Sequence, residues 1–149
     1  MNTIKINVPK WWYILPSYLT LWTVFFSFYA LIDGNGMMQA FGINTGGGSD
    51  FIMLNSAGRY VALGIAMILG IWVLRTYHTI ITVLIARLVM DIIDLSAGIK
   101  TDIIEDINGV LQSFLMFLLP NIITIVLLIR FNQKNTIANI KSAKPFSKA

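Results

Sequence analysis

Residues 57–99 read AGRYVALGIAMILGIWVL, then RTYH, then TIITVLIARLVMDIIDLSAGI. Each apolar run is close to the roughly 20 residues that an α-helix needs to cross a hydrocarbon core. The short polar break at Arg75–His78 leaves room only for a tight turn. The two runs are therefore expected to form an antiparallel hairpin of membrane helices, spanning 57–74 and 79–99. Two further runs, 11–32 and 110–129, lie outside this hairpin and are long enough to cross as well. The first follows a basic flank, but its apolar stretch exceeds a signal-peptide core and no A-x-A cleavage pattern follows, so a retained helix is expected. Pro120, beside Asn121, falls within the last run. Membrane helices tolerate such a proline as a kink when neighbours satisfy the freed carbonyl. The expected fold is all-α, a bundle of four transmembrane helices.

Composition agrees. The chain has 149 residues, 56% hydrophobic and 12% charged, with a mean hydropathy of +0.74. Soluble domains carry about 25% charged residues, so this chain lacks the charge to cover a water-facing surface. With no cysteine there is no disulfide, thiolate nucleophile, or cysteine-ligated zinc or iron–sulfur centre. A single histidine, His78, excludes bis-histidine haem. No cofactor and no metal site are expected.

Orientation follows from the basic residues. With a cytoplasmic N-terminus, the inner segments hold Lys5, Lys10, Arg75, Arg130, Lys134, Lys141, Lys144 and Lys148, and the outer loops hold Lys100 alone. Both termini are thus expected on the cytoplasmic side of the membrane. Trp11, Trp12, Tyr13, Trp72 and Tyr77 then form an inner aromatic belt. The longest loop, 33–56, is outer and carries the glycine run Gly46-Gly47-Gly48, read as a hinge because no Lys-Ser/Thr follows it. Residues 37–41 could add one interfacial helical turn. The tail, 132–149, has four lysines and no acid. It accounts for most of the net charge of +4 and suits anionic lipid, with no case for nucleic acid.

Four charges fall inside spans: Arg59, Arg87, Asp91 and Asp94. A charge at membrane depth costs at least about 2.5–3.5 kcal/mol, so these residues should face the interior and neutralise one another. At about 100° per residue, Asp91, Asp94 and Gly98 lie about 40°, 20° and 20° from Arg87, a narrow polar stripe with His78 and Ser96 opposite. Hairpin geometry brings Arg59 level with Asp94, so an ion pair between the second and third helices is expected, with Arg87 reaching Asp91 along its own helix. Gly58, Ala62, Ala66 and Gly70 form a ladder of small residues that permits close helix approach. Sharing a sector with Arg59, this ladder should face the third helix. Thr20, Thr23 and Ser27 place hydroxyls on one stripe of the first helix. The charged network can serve purely to fix helix pairing, to line a cavity for a lipid headgroup or small metabolite, or to pass protons or ions. Catalysis lacks a Ser/His/Asp set or a ligand cluster. Asp102, Glu105 and Asp106 read as a solvated acidic loop, a weak divalent-cation site being the alternative.

The pattern Arg59-x4-Gly64, Leu74-Arg75, Arg87-x3-Asp91-x2-Asp94 resembles small bacterial four-helix membrane proteins of the DoxX-like kind. The likeness covers the second and third helices. It implies a four-helix bundle in which Arg59, Arg87 and Asp94 are interior polar positions. It also implies a role near quinol-oxidase accessory subunits, redox-stress complexes or membrane-protein chaperones. The redox branch of that group uses thiols, and the lack of cysteine here argues against a direct oxidoreductase role. The expectation is a non-enzymatic accessory or scaffold subunit with a membrane-protein or self partner, surrounded by membrane lipids. The competing reading is a binder or carrier of a lipidic or small polar ligand in the bundle interior.

Overall fold

A computed structural model describes residues 6, 8–40, 49–100 and 107–142, with side chains placed for 6, 8–33, 36, 57–100 and 107–137. The described residues are almost all helical. A 3-10 turn, Lys10–Tyr13, leads into α1, Ile14–Ala40. Helix α2, Ser49–Ile68, continues as a π-type stretch, Leu69–Leu74. Helix α3 is Tyr77–Lys100. Helix α4, Ile107–Ser113, runs through a second π-type stretch, Phe114–Leu118, into α5, Leu119–Ser142. The main contacts close a ring: α1 packs on α2 and α5, and α3 packs on the same two.

The chemistry of the chain sets the helix ends. Asp33 leaves helical geometry (φ −148°, ψ 72°), and its carboxylate accepts the Gly36 N–H at 2.8 Å, re-capping the chain as it continues to Ala40. Between α2 and α3 the turn is only Arg75 and Thr76. Arg75 takes the left-handed conformation (φ 55°) and donates its N–H to the Gly70 carbonyl. The Thr76 hydroxyl accepts the Thr79 N–H at 3.3 Å as an N-cap. The hairpin therefore turns in two residues, tighter than the break at 75–78.

Several boundaries differ from the sequence reading. Helix α2 starts at Ser49, so residues 49–56 of the loop expected at 33–56 are helical, and its glycine run lies outside the described residues. Residues 37–40 prolong α1, and Phe41 lies outside the described residues. Around Pro120 the distortion falls one turn earlier, in Phe114–Leu118, because the missing proline N–H leaves the preceding turn to widen. The tail is helical to Ser142.

Among the described residues, three helices are long and apolar enough to cross a membrane: Lys10–Asp33, Ala57–Leu74 and Ile107–Ile137. Helix α3 has the length, at 24 residues, but carries Arg87, Asp91 and Asp94. The molecule is apolar outside and partly polar inside: Leu21 is 70% exposed while Arg87 is 3% exposed. That inversion suits a lipid surround, as an integral membrane protein requires. The interior has two zones. Near the two chain termini an apolar plug joins Trp12, Leu19, Met67, Ile71, Ile80, Leu84 and Leu128. Trp12 thus leaves the expected aromatic belt: it is buried, and its indole N–H donates to the Thr124 carbonyl at 3.4 Å. Trp11 stays exposed and meets Phe131 edge-on at 5.7 Å. Beyond the plug, along α3, the interior turns polar.

Candidate polar site within the bundle

Arg87 organises the polar zone. Successive buried residues on α3 are Ile80, Val83, Leu84, Arg87, Asp91 and Gly98, one stripe at helical spacing. The stripe that packs the apolar plug thus carries the charges further along. Arg87 Nε donates to the Asp91 carboxylate at 2.9 and 3.0 Å, an ion pair one turn apart. The side chains are 3% and 6% exposed, so both charges are withdrawn from solvent together.

The pair reaches across the bundle. Arg87 Nη1 donates to the Thr23 hydroxyl of α1. That hydroxyl in turn donates to the Leu19 carbonyl at 2.7 Å, so Thr23 is held by its own helix while receiving the guanidinium. Thr20 and Ser27 make the same bond to carbonyls one turn back, those of Pro16 and Thr23. The guanidinium carbon also lies 6.0 Å from the Tyr60 ring centroid of α2, a cation–π distance. The Tyr60 hydroxyl donates to Asp94 Oδ2. Asn121 of α5 is fully buried, and its amide donates to the Leu84 carbonyl at 3.2 Å. All four rods therefore send a polar group to the neighbourhood of Arg87.

This arrangement adds one contact and alters one expectation. Asp94 also receives the hydroxyl of Tyr60, the residue after Arg59, and Arg59 itself is exposed. The small-residue ladder does not face α3 along its length. Gly58 and Ala62 are exposed, and a Cβ at Gly58 would meet nothing within 4 Å. Gly70 is buried, and its Cβ would stand 3.3 Å from Thr79 and Val83 of α3, while Ala66 is half-buried. The close approach to α1 is made at Gly64, where a Cβ would lie 3.3 Å from Val24. The buried face of α2 is Ala57, Leu63, Gly64, Met67, Gly70 and Ile71, rotated from the ladder because large side chains fill the interior.

Sequence reading found Arg87 with Asp91 and singled out Thr23, but gave Tyr60 and Asn121 no part in the network. A signal existed for Asn121: a carboxamide in an apolar span needs a partner from another helix. Tyr60 carried no such mark, since tyrosines are common near span ends.

Chemically, the site is a self-neutralising pair with a carboxylate–phenol contact beside it. Among the described residues no group of three His, Cys, Asp or Glu side chains converges as metal ligands. His78 is exposed and lies edge-on to Tyr77, away from the acids. Asp102, Glu105 and Asp106 lie outside the described residues. No family model, curated protein or solved structure matches this chain.

Proposed function

We propose that this protein is a small multi-pass membrane accessory or scaffold subunit. In this reading α3 crosses the membrane with the other three rods and both termini lie in the cytoplasm. The observation that carries it is the closure of the α3 charges on one another and on Thr23 and Tyr60. A helix whose arginine is paired with one carboxylate, and whose other carboxylate is hydrogen-bonded, can be held in lipid by its neighbours, and the network then fixes pairing and register. Arg87, Asp91, Asp94, Thr23 and Tyr60 bond to each other, which favours a structural use over an interior ligand cradle. The outer surface is left for association, with Gly58 and Ala62 offering a low profile where another helix could approach closely. The likeness of the second and third helices to DoxX-like proteins points the same way.

The test is affinity purification of the tagged full-length chain from its native membrane, followed by native mass spectrometry. The expected result is a co-purifying membrane protein, or a second copy, in fixed stoichiometry that is lost with Ala62→Leu. A lone chain carrying a small molecule released by Arg87→Gln would overturn the assembly role and restore the interior binder.

A further inference from the structure

At the terminal end of the bundle, α1 and the end of α2 do not close on one another. They leave an open, almost wholly apolar groove of about 500 Å³, lined by Ser17, Leu21 and Val24 on one side and Ile68 and Trp72 on the other. Its size falls within the range of ligand clefts, about 300–1,000 Å³. Two cations follow its two walls along the chain toward the same end of the bundle. Lys10 is exposed and precedes Ser17 by seven residues, which places it about one turn before α1 on nearly the same side. Arg75 is exposed and follows Trp72 by three residues. Its position is set from three directions: Nε donates to the Trp72 carbonyl at 2.7 Å, its backbone N–H donates to Gly70, and its carbonyl accepts the Ile6 N–H at 2.9 Å. No Asp or Glu occurs in residues 1–32, 51–90 or 107–149, so no acid of these segments competes for the two cations.

The geometry points to an anionic-phospholipid site, with one acyl chain in the α1–α2 groove and the headgroup phosphate between Lys10 and Arg75. Hydrocarbon matches the groove wall, and a phosphate one headgroup beyond it matches paired cations without an acid. A second copy of the chain fits less well, because its own terminal end would bring the same positive charges to the mouth. This site is separate from the buried Arg87 network and does not depend on the accessory role.

The test uses the full-length chain exchanged into phosphatidylcholine, then titrated with phosphatidylglycerol of identical acyl chains, with bound lipid counted by native mass spectrometry. Phosphatidylglycerol should bind at least about fivefold tighter than phosphatidylcholine, since each cation near the surface is worth about 1 kcal/mol. Lys10→Gln should weaken that binding about fivefold, and Lys10→Gln with Arg75→Gln about 25-fold. Lys10 is exposed, so the single variant keeps the test valid if changing Arg75 disturbs the turn. Ser17→Trp, which fills the groove, should abolish retention with both cations intact. Lys134→Gln, a cation on α5 at the same end, should leave it within about twofold. Equal binding of the two lipids, an equal loss from Lys134→Gln, or full retention by Ser17→Trp would overturn the site. Loss of a dimer peak in place of a lipid peak in Ser17→Trp would assign the groove to a second copy and overturn it too.

Discussion

Arg87 and Asp91 are worth more to each other than to the fold as a whole. Each was taken out of water by the same burial, so deleting one leaves the other uncompensated at a cost of about 3–5 kcal/mol. Arg87→Met and Asp91→Leu should each lower unfolding stability in micelles by that order. The double variant should recover much of the loss, because two apolar side chains need no partner; additive losses would show that the pair does not interact. Arg59→Gln should cost less than Arg87→Gln, since Arg59 is exposed where Arg87 is buried. Tyr60→Phe removes only the donor to Asp94. Interhelical hydrogen bonds in membranes are worth about 0.6 kcal/mol on average and about 1.7 at most, and the loss should fall in that range. A loss as large as that of Arg87→Met would mean that Tyr60 holds the network in place.

Helix α2 has two working faces, and its glycines separate them. At Gly70 and Gly64 a Cβ would already stand 3.3 Å from α3 and α1 respectively, so larger side chains must push a neighbouring helix away. Gly70→Leu and Gly64→Leu should each cost about 1–3 kcal/mol by overpacking. Gly58 faces open space, and Gly58→Ala should be neutral or stabilising by up to about 1 kcal/mol through helix propensity. Ala62→Leu should leave monomer stability within about 0.5 kcal/mol, as an exposed position allows. Thermal unfolding of the four purified variants in one detergent checks the ranking. Equal damage from Ala62→Leu and Gly70→Leu would return the whole ladder to the interior.

The whole molecule is an inverted object, apolar outside and polar at part of its centre, and its placement in the membrane follows from where its lysines and arginines lie. Eight of the eleven basic residues fall in the N-terminal segment, the 75–78 turn and the C-terminal segment from Arg130 on, so that side should face the cytoplasm. The native chain has no cysteine, so Ser49→Cys and Ser147→Cys give clean reporters. In intact cells an impermeant thiol reagent should label the Ser49 site and spare the Ser147 site. Labelling of Ser147→Cys would invert the topology and move the lipid groove to the outer leaflet.

Helix number, apolar character and the Arg87–Asp91 pair were legible in the order of residues, because each depends on spacing along one helix. Four apolar runs can hardly be read otherwise, and residues one turn apart must meet whatever the rest of the fold does. Rotation of α2 was not legible. The ladder Gly58, Ala62, Ala66, Gly70 and the set Leu63, Gly64, Met67, Ile71 are both plausible inner faces at helical spacing. Only packing against α1 and α3 chose the second, since burying large side chains in the interior outweighs close approach along the first. That rotation brought the Tyr60 hydroxyl to Asp94, and packing of α5 on α3 brought the Asn121 amide to the Leu84 carbonyl. Local spacing determines which residues share a helix face; tertiary packing alone decides what that face meets.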